Sequence, residues 1–261
     1  MDSALQRTGR KLARYLSRSS RTYQPLAQSD FRQLARVIRP GDVLLVEGDT
    51  RVSTAIKYLT QSTWSHAALC VGPSAGVAGD PQDPTLVEAD LVDGVSVVPL
   101  SKYADCHTRI CRPVGLAPRD VEQVIEFAVA RLGQRYDLKN LIDLARYLLP
   151  VPPVPVRWRR RMLAFGSGDP TRAICSTLIA QAFQAVRYPI LPRIVRRAAP
   201  QPGCDACYDE IFHIRHHSLF APRDFDISPY FQVVKPALEG DFDYRGVTWN
   251  EDSENAAAPA A

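Results

Sequence analysis

One of the six cysteines in this chain lies where a thiolate would be favoured. Cys175 follows Asp169-Pro170-Thr171-Arg172-Ala173-Ile174, in which Asp169 or Thr171 suits a helix N-cap and Pro170 a first-turn position. That spacing puts the thiol within about a turn of a helix N-terminus, where unpaired N–H groups and the positive end of the helix dipole favour negative charge. Buried cysteine is also a common small core residue, so position alone does not separate a nucleophile from packing. A cysteine hydrolase needs two further groups, a base beside the sulfur and a polar group holding the base's second nitrogen. His66, at the start of an apolar segment, and Glu88, inside another, are the candidates. If their strands pair across the 72–84 loop, both side chains point to one sheet face, and the helix bearing Cys175 can pack against it. The same sequence fits a packed His66 and a Glu88 that merely pairs with an arginine.

The elements that must position these groups are readable from turn signals and periodicity. Arg39-Pro40-Gly41-Asp42 is a turn signal ahead of the apolar run Val43-Leu44-Leu45-Val46, which predicts a buried strand. A brief helix is expected over 52–59, then a strand over 65–71 with His66, Ala68 and Cys70 on one face. Segments 85–89, 94–98 and 108–113 read as further strands of one antiparallel sheet. From Pro118, Val121, Val124, Ile125, Ala128, Val129 and Leu132 recur at helical spacing, and Gly133 is placed to end that helix. A second helical pattern over 138–149 stops at a proline cluster, and a third starts near Thr171. After Pro189 the pattern is less regular until an acidic, alanine-rich tail from about 240, which reads as disordered.

These signals predict a basic arm over 1–24, one domain over 25–239 with an insertion near 150–165 and an extension from about 190, and the tail over 240–261. The chain has 261 residues, 46% of them apolar, enough for a sizeable core. Its net charge of +4, from 32 basic and 28 acidic residues, does not imply a nucleic-acid partner. No apolar run approaches the roughly 20 residues that cross a bilayer, and the basic N-terminus lacks the apolar segment of a secretion signal. Those features point to a cytoplasmic protein with free thiols.

Five ordered motifs carry a family resemblance: Gly41-Asp42 before an apolar strand, Trp64-Ser65-His66-Ala67-Ala68-Leu69, Val87-Glu88-Ala89, Gly133-Gln134-Arg135-Tyr136-Asp137 and Ile174-Cys175-Ser176-Thr177-Leu178-Ile179. Over roughly 39–190 the chain resembles the YiiX/YebB-like circularly permuted NlpC/P60 hydrolases, in which the histidine and its acidic partner precede the cysteine, as here. The resemblance implies an α+β fold with a small antiparallel sheet or open barrel packed against a cysteine-bearing helix. It also implies that Cys175 is the nucleophile, His66 the general base and acid, and Glu88 the group orienting His66. Tyr136 is either a cleft residue that donates to substrate or oxyanion, or an aromatic packed at a helix end. Ser65 and Ser176, beside His66 and Cys175, are further candidates for substrate or oxyanion contact. No cofactor is required by such a mechanism.

Other signals compete. Cys204 and Cys207, followed by His213 and His216, have the residue types of a zinc site, but the interval between the pairs is short of the usual one. The arginines of 7–21 suit an anionic membrane surface or a solvated, partly frayed tail, and those of 157–161, around Trp158, suit anionic lipid, a nucleic-acid backbone or a solvated flap beside the cleft. The sequence thus predicts a cysteine hydrolase of amide or ester bonds, with a peptide, cell-wall-derived or lipid substrate. The alternative is an inactive membrane- or partner-binding protein of the same fold that uses its arginine-rich segments, resting peripherally on the inner face of a membrane.

Overall fold

A computed structural model describes residues 15, 30–72, 83–90, 93–134, 174–198 and 208–236. Most of the basic arm, the 138–149 helix, the 150–165 insertion, Asp169 to Thr171, Tyr136, Cys204, Cys207 and the acidic tail lie outside the described residues.

In chain order the elements are α1 (Phe31–Val37), β1 (Val43–Val46), α2 (Arg51–Thr60), β2 (His66–Cys70), β3 (Thr85–Asp90), β4 (Gly94–Pro99), a 3₁₀ turn (Leu100–Tyr103) and β5 (Thr108–Pro113). They are followed by α3 (Pro118–Val129), α4 (Ile174–Ala185), β6 (Arg193–Ala198), β7 (Tyr208–His213), a second 3₁₀ turn (His217–Leu219), α5 (Pro222–Asp226) and β8 (Phe231–Val234). Six strands form one antiparallel sheet in the order β4-β3-β2-β1-β5-β8, while β6 and β7 pair as a separate ribbon. Of the two arrangements expected, the open sheet is the one adopted, with β4 and β8 at its edges. Strands β1 to β5 fall where the turn signals and apolar runs put them.

The sheet is covered on both faces, which is why β1 is an unbroken apolar run and not an alternating one. On one face Val43, Leu45, Leu69, Val87 and Cys111 pack under Val124, Ile125 and Ala128 of α3 and Leu178, Ile179, Ala182 and Phe183 of α4. On the other, Leu44, Val46, Ala68, Leu86 and Ile110 pack under Leu34 and Ile38, from α1 and its C-cap, and under Leu100 and Tyr103 of the first 3₁₀ turn. Helix α1 is short, and Asp30 caps it by accepting the Arg32 N–H at 2.9 Å. The region after 190 contributes more than an extension, because β8 pairs with β5 and edge-on contacts join Phe231 to both Phe183 and Phe225. The helix that bears Cys175 is thereby tied to the chain's last described strand.

The Gly41-Asp42 motif is structural. Gly41 sits at φ +89°, and a Cβ there would lie 3.0 Å from Val121 Cγ1, so the turn that starts β1 needs glycine. Asp42, 1% exposed, accepts from Arg112 Nε at 2.9 Å and Nη2 at 2.8 Å, and from the Arg39 N–H at 2.8 Å. This bidentate pair locks the start of β1 to β5. Asp42→Ala removes the carboxylate that neutralises the partly buried guanidinium, which keeps its bond to Val37 O, and is expected to destabilise the fold by about 3 kcal/mol, read from denaturant unfolding. No helix among the described residues is long and apolar enough to cross a membrane.

Candidate active site

Register brings His66 and Glu88 together. Ala68 stands opposite Glu88, so residues 66, 68 and 70 of β2 share a face with 86, 88 and 90 of β3. His66 Nε2 lies 2.8 Å from Glu88 Oε2. Glu88 is 2% exposed and His66 about a fifth exposed, at 22% of its side chain. Two residues not singled out in the sequence complete the carboxylate's surroundings: Lys102 Nζ donates to Glu88 Oε1, and the Tyr103 hydroxyl donates to Oε2.

Cys175 comes from α4, which packs against β2 and β3 on the face opposite the one that carries His66 and Glu88, so the expected packing of the helix on the His66 face is not what the fold adopts. Its sulfur and the His66 ring are near enough for each to shift the other's protonation, and since Nε2 faces Glu88, Nδ1 is the nitrogen left for the sulfur. The local course of the sheet makes the room. Val71 N–H bonds Thr85 O, so the alternate N–H groups of β2 at 71, 69 and 67 face β3. The β2–β3 ladder ends at Ala68–Glu88, although β3 continues to pair with β4 as far as Asp90. The Ala67 N–H is therefore not taken up by that ladder, and it is one of the groups that favour negative charge on Cys175.

The electrostatics follow from these contacts. Burial pushes the Cys175 thiol up, but the charge and hydrogen bond of His66, then the Ala67 N–H and Ser176, bring it below the ordinary thiol value. Burial pulls His66 down, and the Cys175 thiolate and then Glu88 outweigh this and raise it to about 10. For Glu88, burial acts upward and is overcome by His66, Lys102 and Tyr103, which hold the carboxyl at about 2. The arrangement favours a thiolate–imidazolium pair backed by a carboxylate that stays ionised.

The other described cysteines behave as packed thiols. Burial pushes Cys70 up to about 12. It also raises Cys111, and it raises Cys106 together with the charges of Asp49 and Asp105. At neutral pH, iodoacetamide is therefore expected to modify Cys175 at least about tenfold faster than Cys70, Cys106 or Cys111, measured by peptide mass spectrometry.

The remaining predicted site residues divide. Ser65 is buried and its Oγ accepts the Gly48 N–H at 2.9 Å, so it braces the approach to His66. Gly48 has no room for a side chain, because a Cβ would lie 2.4 Å from Ser53 Oγ. Ser176 is fully buried with its Oγ 3.9 Å from Cys175 Sγ. Trp64, just before Ser65, donates to Asp226 Oδ2 at 3.0 Å, and Arg109 donates to Asp226 Oδ1 at 2.7 Å. His213 and His216 lie at and just beyond the end of β7, and no group of three or more His, Cys, Asp or Glu among the described residues is arranged to hold a metal ion.

Residues 37–147 match the family model described as permuted papain-like amidase enzyme, YaeF/YiiX, C92 family. The similarity to the permuted papain-like amidases is thereby shown. The matched C92-like stretch contains His66, Glu88, Lys102 and Tyr103, and ends before Cys175. No curated protein matches the sequence. Among solved structures the chain is similar to the metalloprotein yiiX from Escherichia coli O157:H7, at 16% identity and a TM-score of 0.45, over 76% of this chain and 96% of that one.

Proposed function

We propose that the protein is a cysteine hydrolase that cleaves an amide or ester bond through a thioacyl-enzyme. The observation that carries this reading is the contact chain Cys175–His66–Glu88, in which one thiol of the four described is drawn below its ordinary range while the other three are pushed above it. The C92-like match, to a family of papain-like amidases, supports the reaction class.

The Cys175 thiolate attacks the acyl carbon, and the carbonyl π electrons move onto oxygen to give a tetrahedral oxyanion. As the oxyanion collapses, the bond to the leaving amine or alkoxide breaks, and His66 passes its Nδ1 proton to that group. His66, now neutral, takes a proton from water as the water attacks the thioester, and collapse of the second tetrahedral intermediate releases the acid and restores the thiolate–imidazolium pair. Glu88 remains ionised throughout and keeps the ring turned so that Nδ1 faces the sulfur. The acyl group belongs to a peptide, a cell-wall-derived fragment or a lipid. An acceptor other than water would make the same intermediate an acyl transfer.

The test is to mix the full-length protein with p-nitrophenyl acetate and follow both p-nitrophenolate release and the mass of the Cys175 peptide. A burst of product with an acetyl group on Cys175, followed by turnover, is expected. Acetylation spread over lysines, with Cys175 unmodified, would overturn the reading.

A further inference from the structure

The carboxylate that faces His66 is itself held by a device that the triad does not account for. Glu88 is an ionised group almost wholly removed from water, and a single hydrogen bond from an imidazole leaves most of a buried carboxylate's acceptor sites unfilled. In this molecule the remaining partners come from consecutive residues of one turn. Lys102 occupies Oε1, and the Tyr103 hydroxyl shares Oε2 with His66 Nε2.

The turn is fixed independently of the site. Leu100 is fully buried on that face of the sheet, and its N–H donates to Pro84 O at 2.9 Å. The Ser101 N–H donates to Asp83 Oδ1 at 2.9 Å, and the Cys106 N–H to Tyr103 O at 3.0 Å. The first two bonds fasten the turn to the chain just before β3 and the third closes its far end, so Tyr103 enters the site from a rigid base. The Tyr103 ring also lies 6.0 Å from the His66 ring at an interplanar angle of 42°, covering one side of it.

We propose that the Lys102–Tyr103 pair is a positioning clamp for the catalytic carboxylate: the two donors fix the rotation of Glu88, and so keep the imidazole aligned with Cys175. This rests on the reading of Cys175, His66 and Glu88 as a catalytic triad. Tyr103 is a positioning residue and not a proton donor to substrate, because it is buried and its hydroxyl is committed to Glu88. Burial and then the neighbouring Glu88 charge raise its pKa, so it stays a protonated donor across the working range. Lys102, 43% exposed, adds a partly screened positive charge on the solvent side. The titratable groups around the carboxylate are His66 from β2, Lys102 and Tyr103 from the turn and Cys175 from α4, with Cys106 beside Tyr103.

The experiment is the pH profile of Cys175 carbamidomethylation by iodoacetamide in the full-length protein, read on the Cys175 peptide. Wild type, Tyr103→Phe and Lys102→Gln are compared, with thermal melts alongside. Without the phenol hydroxyl, Glu88 holds the imidazolium less firmly and the imidazolium in turn stabilises the thiolate less. The limb on which the thiolate appears is then expected to rise by about one pH unit in Tyr103→Phe, because a carboxylate free to turn lets the imidazolium move off the sulfur and the thiolate loses part of that neighbouring charge. Lys102→Gln is expected to move it the same way by less, because water screens that charge. A lowered melting temperature with the limb unmoved would make Tyr103 merely structural and overturn the clamp. If Tyr103→Phe does not fold, Lys102→Gln decides by the same readout, and an unmoved limb there overturns the proposal. A wild-type limb already in the ordinary thiol range would overturn the triad itself, and the clamp with it.

Discussion

Cys175→Ala is expected to lower the acylation rate with an activated ester by about ten-thousandfold or more, leaving no burst and no acyl adduct at any other cysteine. The size follows from where the reactivity resides. His66 and Glu88 survive in the variant, but an imidazole without its sulfur can only assist water, and removal of a nucleophile costs nearly as much as loss of the whole catalytic group. No other described thiol can substitute, because Cys70 and Cys111 are buried in the core and Cys106 is pushed above its ordinary value. Stability should change little, since a small buried group is replaced by another; a far-ultraviolet thermal melt beside the stopped-flow trace checks both.

The second large effect is at Glu88. In Glu88→Gln the side chain keeps its shape but offers one acceptor oxygen where three donors converge, from His66, Lys102 and Tyr103. The imidazolium loses its counter-charge, the ring is no longer held with Nδ1 on the sulfur, and acylation is expected to fall about a thousandfold. The variant should also lose about 3 kcal/mol of stability at neutral pH. That loss depends on pH with a definite sign. The Glu88 carboxyl is held at about 2 against an ordinary value of 4.5, so its contribution is fully present above 4.5 and disappears as pH falls through about 2. Wild type and variant should therefore differ in urea midpoint near about pH 6 and converge near about pH 2. His66 has the opposite sign: raised to about 10 from 6.5, it stabilises fully below 6.5 and ceases to do so as pH rises through about 10.

The parts of this site legible in the sequence were those that local pattern specifies. Val43–Val46 and His66–Cys70 announce themselves as strands between turn residues, and a period of two fixes which side of β2 carries His66. The meeting of His66 with Cys175 is not local. It depends on α4, packed on the other face of the sheet, bringing Cys175 to the place where β2 and β3 part, and only the order of short motifs pointed to it. Asp42 was legible as a motif member but not in its role, since its partner Arg112 is far along the chain on β5. Lys102 and Tyr103 carried no signal, because a lysine and a tyrosine after a strand are ordinary until the turn folds back over Glu88. Strand β8 was missed for a related reason: Phe-Gln-Val-Val is too short to show a period, and its pairing with β5 is fixed by edge complementarity and by Phe231 packing on Phe183 and Phe225.

The most direct test of the central claim is the ultraviolet absorbance of the Cys175 thiolate, taken as the difference between wild type and Cys175→Ser while pH is varied. A thiolate that appears below the ordinary thiol value of 9.0, and whose spectrum shifts again as His66 gives up its proton near about 10, is the predicted result. A thiolate that forms only at or above 9.0 would mean that the sulfur gains nothing from the imidazole beside it, and would contradict the account.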